Sequence, residues 1–187
     1  FATSTPYADY HFIGKQDQVS GTAFPANARN LTINNELASN KVTLDNNIRV
    51  SNSLTMTSGN VFTNLKTLEL GESTSVKGTL AHTSGFVVGK MKRWFAGTNS
   101  GDASGLFPMG FNDGGLKNRN VKIEYTNAPT AGHLTVEYQG STMGLTGIPI
   151  TTANSGGAGF DVTTTEDQGY WKINNQNLTD GVYTITC

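Results

Sequence analysis

"NLTINNELASNKVTLDNNIRVSNSLTMTSGNVFTNLKTLELG", residues 30–71, writes one short strand after another. The apolar pairs Leu31/Ile33, Val42/Leu44, Ile48/Val50, Leu54/Met56 and Leu68/Leu70 each straddle one residue. That spacing puts apolar side chains on one face of a strand and polar ones on the other. Asn, Ser and Gly fill the gaps, and Asn and Gly tolerate the left-handed backbone angles of tight corners. The bursts are too short and too close for ordinary hairpins, and no Asn-Gly or Asp-Gly pair separates them.

Sliding the stretch along itself lays like on like. Leu31/Ile33 meets Leu54/Met56 at a shift of 23, and Ile48/Val50 meets Leu68/Leu70 at a shift of 20. One coil further on, the same reading carries Leu54 onto Val76 and Leu68 onto Val87. A unit of this length holding two or three short strands is one coil of a parallel β-solenoid, with coils stacked about 4.8 Å apart. In that register Leu54, Met56, Leu68 and Leu70 point inward, and Thr55 and Glu69 point outward. The competing arrangement is an antiparallel sandwich whose repetition is accidental.

After Phe95 the pattern changes. Residues 96–120 are rich in Gly and Asn and carry no repeat. Longer alternating runs follow: NVKIEYT (120–126), HLTVEYQ (133–139), GFDVTT (159–164), YWKIN (170–174) and VYTITC (182–187). Turn clusters such as NAPTAG and NSGGAG separate them, which reads as an antiparallel, Ig-like β-sandwich. The expected fold is therefore all-β, with a parallel β-solenoid (β-helix-like) segment over 1–96 and a β-sandwich over 97–187.

Charged residues make up 14% of the 187, the net charge is -1, and Asn, Thr, Ser and Gly take the polar positions. The balance offers no basic surface for nucleic acid or an anionic membrane, and suits a β-rich protein outside the cytoplasm. Apolar runs are too short for a membrane-spanning helix. The one cysteine, Cys187, excludes a disulfide within the chain. The chain opens on Phe1 without a Met and stops on "YTITC" inside an alternating run, which reads as a piece of something longer.

Several elements, in order, carry a resemblance. They are Tyr10-His-Phe-Ile-Gly14, Gln18-Val-Ser-Gly21, Phe24, "NLTINN", "SLTMTSGNVFTNLKTLELG", "TSGFVVGKMKRWF", "SGLFPMG", "NAPTAGHLTVEY" and "QGYWKINNQNLTDGVYTIT". From about residue 10 onward the chain resembles a module of large surface proteins of Bacteroidota exported by the type IX secretion system. The resemblance implies a secreted or cell-surface repeat protein, often adhesive, in which such modules are structural or display units. It transfers no catalytic motif, and the family's C-terminal sorting domain is not visible.

Polysaccharide-degrading β-helix enzymes need two or three carboxylates on adjacent coils. Asp45 and Glu69 are the best pair by separation, but the apolar register sets them apart and makes both solvated edge charges. His11, His82 and His133 stand alone, without a nucleophile and third partner. Asp102 and Asp113 lie in the Gly-rich stretch without the spacing of an EF-hand loop. Trp94, Tyr170 and Trp171 are candidates for stacking on sugar rings, although alternation in "KRWF" and "YWKI" turns one of each adjacent aromatic pair toward a core. Trp94 and Phe95 are expected to let the sandwich cap the last coil. Lys90, Lys92 and Arg93 are too few for nucleic acid, and the Asn30 and Asn177 sequons have little force in a bacterial protein.

The sequence thus leads to a structural or display module of a large extracellular bacterial protein, without catalysis, cofactor or metal. Its partners would be neighbouring modules of the same polypeptide or filament, and surface glycans. The alternatives are a carbohydrate-binding module and a non-catalytic fragment of a β-helix polysaccharide-degrading enzyme.

Overall fold

The computed structural model describes residues 8–99, 103–140, 150–151, 161–162 and 169–187. Every regular element among them is a β-strand. The first eight strands wind about four turns of a parallel solenoid. They are β1 (Asp9–Phe12) with β2 (Gln18–Val19), β3 (Asn27–Asn34) with β4 (Lys41–Thr43), β5 (Ile48–Ser58) with β6 (Asn60–Leu70), and β7 (Thr79–His82) with β8 (Val87–Phe95).

The rungs follow the period-two pattern. On one face Tyr10, Leu31, Leu54 and Leu80 stack in register, followed by Phe12, Ile33, Met56 and His82. On the second, Val42, Val61 and Val87 stack. On the third, Ile48, Leu68 and Met91 form one rung, and Val50, Leu70 and Arg93 another. Leu54, Met56, Leu68 and Leu70 are fully buried, as the alternation requires.

The last coil corrects the sequence register. Leu54 stacks on Leu80, not Val76, and Leu68 stacks on Met91, while Val87 stacks on Val61. The cause is the insertion GESTSVKG (71–78), which turns outside the coil, with Glu72 N donating to Val76 O at 2.8 Å. Val76 is exposed there. A fixed shift cannot track a coil that has gained residues in its corner.

Two corners show why small and amide residues are placed where they are. Gly59 and Gly85, on successive coils, both have positive φ, and a Cβ on Gly85 would come within 2.0 Å of Gly59 O. Only glycine lets these corners stack so closely. Asn60, fully buried, donates to Ala38 O at 2.6 Å and accepts from Phe86 N at 3.0 Å. One side chain thus closes the corners of the coils below and above it.

The change of pattern after Phe95 marks a change of strand direction. The later strands are β9 (Leu106–Phe107), β10 (Gly110–Asn112), β11 (Leu116–Asn118), β12 (Val121–Tyr125), β13 (Gly132–Gln139), β14 (Ile150–Thr151), β15 (Asp161–Val162), β16 (Tyr170–Gln176) and β17 (Tyr183–Thr186). β13 pairs antiparallel with β8, and β16 with β13, so hydrogen bonding runs from the solenoid into the second half without a break. The three-stranded sheet β17-β12-β9 supplies the sandwich-like partner. Phe95 joins the layers, with ring centroids 6.2 Å from Phe107 and 5.6 Å from Tyr125. The apolar core is continuous from Phe12 to Leu178. Of the two expected capping aromatics only Phe95 faces that core; Trp94 lies on the other side of β8.

Candidate functional site

The outward positions of the third face form a connected polar assembly. Asn27, Arg49, Glu69 and Lys92 occupy one rung across β3, β5, β6 and β8, and the row continues antiparallel through Thr135 and Asn174. At strand spacing the row crosses about 24 Å. Two residues further along β8, the rung Trp94–His133–Gln176 runs beside it.

Glu69 is the hub. Its Oε2 accepts from Arg49 Nε at 3.0 Å, and its Oε1 accepts from Trp94 Nε1 at 2.8 Å and lies 3.0 Å from Lys92 Nζ. The Lys92 ammonium also sits 4.7 Å from the Trp94 ring centroid, within cation–π range. Glu69 faces outward as the sequence required, yet its side chain is only 12% exposed, which corrects the expectation of a solvated edge charge. The carboxylate is covered by the long side chains that bind it.

Burial is the largest single influence on this carboxyl and pushes its pKa up. The hydrogen bonds from Trp94, Lys92 and Arg49 and the charge of Lys92 more than offset it, leaving the pKa below the ordinary value. A carboxylate held ionised by three donors is a poor proton donor and a weak base. Asp45 is not brought to it: the Asp45 amide donates to Ser20 Oγ at 3.0 Å, and the rung neighbours of Glu69 are both cations.

His133, which the sequence left standing alone, has a neighbour on this face. Its ring centroid lies 4.7 Å from that of Trp94, and its Nδ1 is buried without a hydrogen-bond partner. Burial, then the charge of Lys92, lowers its pKa, against an opposing effect of Glu69. His82 Nε2 donates to Gly85 O at 2.8 Å, a corner contact.

The three candidate sugar-stacking aromatics do not share a platform. Trp94 is on the outer face, engaged by Glu69, Lys92 and His133. Tyr170 is on the same side but six residues from Gln176 along β16, about 20 Å away. Trp171 points to the opposite, inner side, donating Nε1 to Arg119 O at 2.6 Å and meeting Tyr138 edge-on at 5.3 Å. Asp113 pairs loosely with Lys117 at 3.7 Å, and Asp102 lies outside the described residues. Among the described residues no group of three His, Cys, Asp or Glu is placed to hold a metal, and no helix is long and apolar enough to cross a membrane.

Comparison with family models, with curated proteins and with solved structures found no match.

Proposed function

We propose that this chain is a non-catalytic structural and display module of a large extracellular bacterial surface protein. The observation that carries the reading is the direction of its polar contacts. Lys15–Glu36, Arg29–Asp9, Lys41–Asp17, Arg49–Glu69 and Lys92–Glu69 each join one coil to the next along the solenoid axis. Asn52 Nδ2 to Asn30 Oδ1 at 2.8 Å and Asn46 Nδ2 to Thr22 O at 2.8 Å do the same. The solenoid exterior is used to tie coil to coil, as a stiff spacer requires.

The continuous sheet from β1 to β16 supports the same role, because it transmits tension through hydrogen bonds across the junction of the two halves. The resemblance of its motif order to type IX-exported surface proteins of Bacteroidota supports that cellular setting. Neighbouring modules of the same polypeptide are the natural partners.

Immunogold labelling of intact producing cells with an antibody against this chain is the test. The expected result is label on material projecting beyond the outer membrane, with no turnover of pectin, alginate or cellulose by the purified chain. Label confined to the cell interior, or turnover abolished by Glu69→Gln or Asp45→Asn, would overturn the reading.

A further inference from the structure

Arg93 occupies a rung that the fold reserves for apolar residues. Its neighbours in register are Leu70 on β6 and Leu134 on β13, and beyond Leu70 comes Val50 on β5. The residue is 5% exposed, and burial pushes its pKa down to about 10. No carboxylate among the described residues pairs with it. Nη1 donates to Ala103 O at 3.0 Å and to Leu106 O, and the guanidinium carbon lies 5.8 Å from the Phe107 ring centroid. Those contacts engage one corner of the fork. Nε and Nη2, the edge that binds carboxylates with two parallel hydrogen bonds, have no partner among the described residues.

Arg93 lines a cavity of about 500 Å³ at the end of β8, between the start of β7 and the loop that follows β8. That volume falls within the range of small-molecule sites. Lys77 stands on its rim, one of its ammonium hydrogens bound to Ala96 O at 3.0 Å. Among the described residues the lining contains no Asp or Glu, and it includes Thr79, Thr98 and Ser104. Two cations, no acid among the described lining and three hydroxyl-bearing residues in the wall form a complementary surface for one small polyhydroxylated anion.

We propose that this cavity binds a carboxylate-bearing sugar of the uronate or sialate type. The carboxylate meets the Nε–Nη2 edge of Arg93, Lys77 adds charge at the rim, and the ring hydroxyls face the Thr and Ser wall. The site is separate from the display role and from the Glu69 assembly, and neither is needed for it.

The test uses the whole chain, isotopically labelled and titrated by NMR with galacturonate, glucuronate and N-acetylneuraminate. Galactose, glucose and sulfate serve as comparisons. At least one sugar acid should give saturable amide shifts at Gly97, Thr98 and Ala103, with the neutral sugars and sulfate at least about tenfold weaker, equivalent to about 1.4 kcal/mol. Lys77→Ala, on the exposed rim, should weaken binding several-fold, and Arg93→Met should abolish it. If Arg93→Met does not fold, the wild-type selectivity and Lys77→Ala decide. Absence of saturable shifts, equal binding of neutral sugars or sulfate, or undiminished binding by Lys77→Ala would each overturn the proposal.

Discussion

Glu69→Gln isolates the charge of the outer-face hub without changing its volume. The Gln carbonyl, at the Oε1 position, can still accept from Trp94 Nε1 and Lys92 Nζ, while the amide hydrogens are turned toward Arg49 Nε, donor against donor. A hydrogen bond to a charged group contributes about 1.5–3 kcal/mol, and breaking a buried pair costs about 3–5 kcal/mol. The Lys92 side chain is 19% exposed and Arg49 is 42% exposed, so solvent recovers part of the loss. The variant should be less stable by about 2–3 kcal/mol at pH 7, or about 4–12 °C in Tm for a chain of this size.

The pH dependence identifies the cause. Glu69 has a folded pKa below its unfolded value of 4.5. Its contribution is therefore complete above the unfolded pKa and lost as pH falls through the folded one. Thermal melts of wild type and Glu69→Gln from pH 7 to pH 2.5 should run parallel above about pH 5 and converge in acid. A gap unchanged across that range would show that the variant acts through packing and would refute the charge argument.

Leu54→Asp puts a carboxylate at a fully buried rung and should unfold the chain. Thr55→Asp, beside the uncharged Thr32 and Ala81, should melt within about 1 kcal/mol of wild type, and equal melting temperatures would rule out the register. Gly85→Ala, with its Cβ 2.0 Å from Gly59 O, should cost more than about 2 kcal/mol, whereas Gly21→Ala, which has positive φ and open space, should cost about 1 kcal/mol; equal losses in denaturant melts would remove the corner-stacking argument. His133 should titrate below the ordinary imidazole value of 6.5 in an NMR pH series, and a midpoint at or above it would contradict the burial and Lys92 charge assigned to it.

The solenoid was legible because its signal is local. Alternation exposed Leu54/Met56 and Leu68/Leu70, and aligning Ile48/Val50 with Leu68/Leu70 already places Arg49 beside Glu69. The third member was lost through the insertion at 71–78. Aligning Leu68 with Met91, as the structure does, would have set Lys92 on Glu69 and Trp94 one position past the Arg93 rung. The inward turn of Arg93 was also readable, since Met91, Arg93 and Phe95 alternate. Its lack of a carboxylate partner among the described residues was not, because that depends on which loop folds over β8. His133 beside Trp94 depends in the same way on an antiparallel pairing between segments about forty residues apart, and strand alternation says nothing about pairing partners.

The junction itself explains how a coil stack can stop. Each parallel coil presents the same unpaired edge, so stacking has no internal reason to end. Reversing direction at β13 satisfies the edge of β8 with a strand that cannot seed another coil of the same winding. β16 then ends the described sheet with Lys172, Asn174, Asn175 and Gln176, a charged and amide-rich border that opposes pairing with a stray strand. At the opposite border β1 carries Asp9, clamped by Arg29 Nε and Nη2, each at 2.8 Å, and by Asn30 at 2.9 Å. That carboxylate is turned back along its own stack, with its pKa lowered chiefly by the Arg29 hydrogen bond. The two borders of the described sheet therefore differ in kind: one is met by a change of direction and polar side chains, while at the other the edge carboxylate is held by the coil beneath it.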